Sequence, residues 1–152
     1  MSIVLHGVAA GKGIAIGHAH LITRGAAEVP QYDIDPDKLD AEVARFDNAI
    51  KATRKELEQL RGAIPENAPT ELGAFISLHL MLLTDVTVSR EPIDILREQK
   101  INAEWALKLQ SDKLAAQFDS IDDDYLRERK QDMLQVVRRI HNNLVGQSNE
   151  IN

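Results

Sequence analysis

Any chemistry in this chain would rest mainly on its histidines. The sequence has five, His6, His18, His20, His79 and His141, and no cysteine. An imidazole can move protons near neutral pH, ligate a metal or act as a nucleophile, whereas thiolate chemistry and disulfides are excluded. His18 and His20 would share one face of a strand, a spacing that metal ligands sometimes use. Two histidines alone make a poor zinc site, and no third ligand accompanies them. Gly7, Gly11 and Gly13 around Lys12 invite comparison with a phosphate loop. G-x-x-x-G-K-G is one residue short of the Walker A spacing and has no Ser or Thr after the lysine to meet magnesium. That reading fails. Asp122-x-Asp124 has the form of a metal pair, but acidic residues at a helix start are accounted for by the helix dipole. There is no EF-hand spacing, no Ser/His/Asp arrangement that periodicity would bring together and no glycine-rich cradle. Residue chemistry by itself yields no catalytic site.

His79 stands in the middle of the most hydrophobic run, AFISLHLMLLTD at Ala74–Asp85. At 3.6 residues per turn, Leu72, Phe75, His79, Leu82 and Leu83 fall on one side of a helix. Ile76, Leu80 and Met81 widen the apolar surface beyond the stripe needed to pack on one neighbour. Such a helix must be covered on more than one side or keep a patch for a partner. A histidine on that stripe is expected to be packed or to make a simple interface contact rather than to carry a proton or phosphoryl group. Asp85 can end one helix and N-cap the next, so a break is expected at Thr84–Asp85.

The elements that must hold this stretch follow from punctuation and period. Residues 3–9 and 13–22 are short, β-branched and glycine-punctuated, and read as two strands. A pair of strands is marginal alone, and some larger sheet would ordinarily receive them. A polar linker over 23–35 ends in Asp35-Pro36, a helix start. Leu39, Val43, Phe46, Ile50, Thr53, Leu57, Leu60 and Ile64 then alternate by four and three in a seam about 40 Å long. Pro65 and Pro69 separate that helix from the one at 70–84. A shorter helix over 85–99 carries Ile93 and Leu96. Asn102 is the expected N-cap of the next, with Trp105, Leu107, Leu109, Leu114 and Phe118. Ser120 or Asp122 is the expected cap of the last, with Leu126, Met133, Val137, Ile140 and Leu144. The helical part spans 36–145, and a polar tail at 146–152 is expected to be disordered. The fold class is therefore mainly α, an antiparallel four-helix assembly with a short N-terminal β segment.

Composition narrows the partners. With 152 residues the chain is one ordinary domain with room for a small appendage. Its 24 acidic residues outnumber 18 basic ones, for a net charge of −6, which argues against nucleic acid or an anionic membrane. No secretory signal opens the chain and no apolar run approaches the ~20 residues of a membrane span, so a cytoplasmic protein is expected. Aromatics at 4% suit a Leu/Ile/Ala-packed bundle better than a β-sandwich.

Three segments carry a resemblance. GVAAGKGIAIGHA at Gly7–Ala19, FISLHLMLLTD at Phe75–Asp85 and IDDDYLRERKQDM at Ile121–Met133 together resemble the amino-terminal part of Enzyme I, the phosphoenolpyruvate–protein phosphotransferase of the bacterial sugar phosphotransferase system. They occur in family order and spacing across nearly the whole chain. The resemblance implies a claw-like pair of helical hairpins that docks the small phosphocarrier HPr, inserted into an α/β domain to which the strands at 1–22 would belong. It implies a docking face of Glu71, Phe75, His79, Met81, Leu82, Leu83, Asp85 and Arg129, with His79 near the partner but not phosphorylated. Arg129, which a salt bridge within Arg127–Asp132 would otherwise occupy, gains an interface role, and a guanidinium fork suits partner carbonyls and carboxylates. The family's phosphorylated histidine, in a G-G-x-x-S-H-type motif, and its magnesium- and substrate-binding barrel lie further on, so this chain is expected to be a truncated piece with no catalytic residue and no cofactor of its own, from a parent that dimerises through its C-terminal domain. The family often continues the Asp85 position with further acids, where this chain has Val86-Thr87-Val88. The other reading is a free-standing helical adaptor without enzymatic activity. A reading frame that continues past residue 152 into a Ser-His motif would decide for the enzyme.

Overall fold

The computed structural model describes residues 4, 6–8, 11, 13 and 29–150. Most of the two strands expected over 3–9 and 13–22, with His18 and His20, and residues 23–28 of the linker lie outside these residues. What is described is mainly helical. A 3-10 turn at Pro36–Lys38 leads into α1 (Leu39–Gly62), followed by α2 (Thr70–Leu83), the single turn α3 (Val86–Ser89), α4 (Glu91–Gln99), α5 (Ala103–Asp119) and α6 (Asp124–Glu150). Five of these helices exceed one turn, where the sequence suggested four in two hairpins. The extra one is α4, which together with α3 occupies the span of the shorter helix expected over 85–99. Among the described residues the one piece of β pairing is an isolated antiparallel bridge between Asp33 and Ile101.

The seam of α1 forms much as its spacing dictates. Phe46, Ile50, Thr53 and Leu57 are buried, and Leu39 and Val43 pack against the core. Its polar member is satisfied: the Thr53 hydroxyl donates to the Ala49 carbonyl at 2.8 Å and accepts from the Asn143 amide of α6 at 2.9 Å. The seam fails only in the last turn, where Leu60 is exposed at the tip of the α1–α2 hairpin. The core of the described residues gathers Phe46 and Ile50 of α1, Leu82 and Leu83 of α2, Leu96 of α4, Leu107 of α5 and Val136, Ile140 and Leu144 of α6. Burying each such side chain stabilises by roughly 1.5–3 kcal/mol.

A buried polar hub ties the α4–α5 junction to the chain entering from residue 30. Lys100 ends α4 in the left-handed region at φ 52°, and its carbonyl accepts from Ile34 N at 2.8 Å. Asn102 does occupy the N-cap position of α5, but its side chain caps nothing. It accepts from Tyr32 N at 3.1 Å and donates to the Pro30 carbonyl at 2.9 Å and to Glu104 at 3.0 Å. The α5 terminus is instead met by Glu42 of α1, which accepts from Ala103 N at 3.0 Å. Arg45 joins these carboxylates, bonding Glu42 at 2.5 Å and Glu104 at 2.6 Å, and reaches the Leu144 carbonyl of α6 at 3.3 Å. Burial alone would raise the Glu104 pKa, yet the bonds from Arg45 and Asn102 hold it below the usual carboxylate range.

Two helix ends differ from expectation. At the start of α6 it is Asp123, not Ser120 or Asp122, that accepts from the free N–H groups of Tyr125 and Leu126, at 2.8 and 3.3 Å. The α6 backbone also runs on through Gln147–Glu150 instead of stopping at Gly146. A single glycine costs a helix only about 1 kcal/mol, and no proline follows to break it.

Candidate functional site

The break between α2 and α3 is where the structure offers a surface. Asp85 ends the run and caps α3, accepting from Thr87 N at 2.9 Å and from the Thr87 hydroxyl at 2.6 Å. The Ser89 hydroxyl closes the turn on the Asp85 carbonyl at 2.8 Å. Capping by a short carboxylate frees the chain to change direction, and the segment Val86–Gln99 departs from α2 at 61°. No single helix among the described residues is long and apolar enough to cross a membrane.

Helix α2 has two sides. Ile76, His79, Leu82 and Leu83 face inward and are buried. Leu82 and Leu83 therefore belong to the core, where the sequence reading expected one of them at the centre of the docking face. Leu83 is 0% exposed and Met81 61%, because at about 100° per residue two positions lie roughly 200° apart. The opposite arc carries Ala74, Ser77 and Met81, and Glu71 and Phe75 are exposed beside the buried side. Leu72, in the first turn, is exposed although it shares the buried side's angle, since the hairpin tip runs beyond its neighbours.

His79 is core as well, at 1% exposed. Its ring packs on Phe75, centroids 4.2 Å apart and tilted by 44°. Neither ring nitrogen has a hydrogen-bond partner, and the nearest carboxylate oxygen, Asp132 Oδ1 of α6, stands 3.7 Å from Nε2. Burial pushes the His79 pKa down; Asp132 pulls it up and Arg139 adds to the fall. Its lowered pKa favours the neutral imidazole at pH 7, and in this structure its ring is covered by Phe75 and its neighbours instead of facing outward.

On α6, Tyr125, Arg129 and Asp132 follow at four and three residues along one side, the side that reaches His79. Arg129 does not take the salt bridge open to it in sequence. Its guanidinium donates to the Tyr125 hydroxyl at 3.1 and 2.8 Å and lies 5.1 Å from that ring's centroid. Arg127 is the residue that pairs with acids, Asp122 at 3.0 Å and Asp124 at 3.7 Å, which also occupies the aspartates considered as a metal pair. The structure therefore packs Phe75 on the buried His79 with Asp132 of α6 beside it, and sets the Tyr125–Arg129 pair one to two turns earlier on that side of α6; Glu71, Met81 and Asp85 are exposed along α2 and at its end. Val86, 60% exposed, Ile121 and Tyr125 extend the apolar surface. The sequence reading did not select them; the i, i+4 spacing of Tyr125 and Arg129 was the available signal.

Comparison with known proteins agrees with this architecture. The family described as PEP-utilising enzyme, N-terminal, matches residues 6–129. A phosphoenolpyruvate-protein phosphotransferase of Cupriavidus necator is 48% identical over 96% of this chain, and that of Bacillus subtilis 34% identical over 93%. In each case the chain spans 25% of the relative's length. An NMR solution structure of an Enzyme I protein superposes with a TM-score of 0.71 and 26% identity, over 78% of this chain and 48% of that one. The chain belongs to the N-terminal domain family of the PEP-utilising enzymes and corresponds to the amino-terminal part of Enzyme I.

Proposed function

We propose that this chain is the docking portion of a phosphoenolpyruvate-dependent phosphotransferase, and that it seats the phosphocarrier HPr on the exposed residues of α2 and the adjoining end of α6. The observation that carries the reading is the set of exposed apolar side chains on α2, α3 and the start of α6. Phe75 is 40% exposed, Met81 61%, Val86 60% and Tyr125 60%, rimmed by Glu71, Asp85 and the Arg129 guanidinium, which forms no ion pair among the described residues. An apolar centre with a charged rim is the usual anatomy of a specific, transient interface. The claw-like hairpin arrangement, the cytoplasmic location, the sugar-uptake setting and the dimeric parent come from the family resemblance. So does the assignment of phosphoenolpyruvate and magnesium to regions that these residues do not span. The chain by itself takes no phosphate from phosphoenolpyruvate, since none of its five histidines lies in a family phosphorylation motif; incubation with phosphoenolpyruvate, magnesium and HPr should leave its intact mass unchanged.

The docking test is a titration of labelled HPr against the wild type, Arg129→Glu, Met81→Ala and the control Lys55→Glu, an exposed position on α1. Losing one member of a desolvated charge pair costs about 2–5 kcal/mol of affinity. Weaker binding in the first two variants, with all four melting alike, supports the face. Equal affinity across the set means that α2 serves only the core.

A further inference from the structure

We infer that Gln110 of α5 is the positioning residue of the docking turn, an inference that rests on the docking reading above. Gln110 is 0% exposed. Its amide nitrogen donates to the Thr87 carbonyl at 2.8 Å and to the Glu91 carboxylate at 2.6 Å. Both neighbours are acceptors, so the hydrogen-bond pattern dictates that the nitrogen, not the oxygen, sits there. One buried amide therefore grips α3 and the first residue of α4 from beneath. Its oxygen is buried without a partner, so the side chain is held for what its nitrogen does. Glu91 is steadied by Lys113 at 3.4 Å, and on the opposite flank the Thr87 hydroxyl lies 4.0 Å from Met133 Sδ of α6.

The Asp85 cap fixes only where α3 begins. A four-residue helix held by its cap alone could pivot about that cap, because one turn makes too few backbone bonds to resist. Val88, fully buried in the core, gives α3 one apolar anchor, and Gln110 adds a directional polar one that limits rotation about it. Val86 and Asp85 are then presented at a set angle to Met81, which belongs to α2 and is placed independently. Gln110 touches no partner; it acts through α3.

The test titrates labelled HPr against the full chain as wild type, Gln110→Met and Ile140→Val. Methionine keeps volume and burial but removes both donations. Ile140 is a core residue of α6 away from the turn and controls for a lowered melting temperature. Gln110→Met is expected to weaken binding roughly three- to thirtyfold and to speed amide exchange at Val88–Arg90, while Ile140→Val leaves affinity unchanged. Adding Val86→Ala should cost less in Gln110→Met than in the wild type, because Val86 is already displaced, whereas Met81→Ala should cost the same in both. Should Gln110→Met melt too low to titrate, Glu91→Ala at its partly exposed site replaces it, with a smaller loss in the same direction. Wild-type binding with unchanged affinity in the Gln110 or Glu91 variant overturns this inference alone. Failure of the wild type to bind overturns the docking reading and this one with it.

Discussion

Replacing Arg45 with methionine should be the most damaging single change outside the apolar core. The Arg45 guanidinium satisfies two carboxylates, and the Glu104 side chain it bonds at 2.6 Å is only 5% exposed. Without Arg45, Glu104 keeps a single partner side chain, the Asn102 amide at 3.0 Å, and remains a buried charge with no counter-ion. Breaking a buried pair from one side costs about 3–5 kcal/mol. For a chain of this size each kcal/mol lowers the melting temperature by about 2–4 °C, so Arg45→Met should melt roughly 6–20 °C lower. Urea denaturation followed by circular dichroism at 222 nm measures the free energy directly.

The cost should be conditional on the charge left behind. Arg45→Met/Glu104→Gln removes both charges and should recover part of the loss, since a neutral amide is far cheaper to bury than an unpaired carboxylate. The bonded Glu104 has a pKa below its unfolded value, so its contribution is present above the ordinary glutamate range and is lost as pH falls through the folded pKa. In Arg45→Met that acid-side dependence should shrink or reverse. A loss below about 1 kcal/mol, the figure for an exposed pair, would refute the view that this hub is a buried electrostatic anchor.

Other expectations are simpler. Leu83→Ala should cost about 2–5 kcal/mol by opening a core cavity, whereas Met81→Ala two residues earlier should leave the urea midpoint nearly unchanged. His79, with its pKa depressed by burial, contributes stability that is complete above the unfolded histidine value near 6.5 and is lost as pH falls through the lower folded value; midpoints from pH 8 to 5 should fall in the wild type relative to His79→Leu, and equal slopes would count against a neutral buried imidazole. Lys100→Gly should stabilise by up to about 1 kcal/mol, because φ 52° strains a residue with a Cβ but not glycine; a lower melting temperature would show that the lysine side chain matters more than the backbone there.

What the sequence made legible was local. The α1 seam, the break at Thr84–Asp85 and the cap that Asp85 forms all depend on residues within a turn or two of one another, and each appears where spacing puts it. Period also grouped Leu82 and Leu83 with His79 correctly. It could not say which side of α2 the rest of the chain would cover, because a helical wheel gives relative angles and neighbours supply the absolute one. Hence period alone does not show that Leu82 and Leu83 are buried while Val86 and Tyr125 are exposed. Asn102 shows the same limit at a single residue. Its type and position suit an N-cap, but its side chain serves Tyr32, Pro30 and Glu104, and Glu42, sixty-one positions away, takes the α5 terminus instead. At the start of α6 the sequence points to Ser120 or Asp122, and the turn geometry selects the chemically equivalent Asp123.

The hub and the break share a physical logic. In both, a residue distant in sequence holds a helix end: Glu42 meets the α5 terminus, and Gln110 of α5 adds to the local Asp85 cap by bonding Thr87 of α3 and Glu91 of α4. The core would bury as much apolar surface without these bonds, so their effect falls on direction more than on collapse. Each non-local bond fixes the angle at which one helix leaves another, and each needs a buried polar atom to do it. The unpaired oxygen of Gln110 is the visible cost of that arrangement at the break. A surface held this way meets its partner with little left to order, and less of the binding free energy is spent on fixing loops and side chains. On the docking reading proposed above, a preset angle at Asp85 and Val86 would favour a specific yet brief encounter more than a larger contact area, which would prolong the complex.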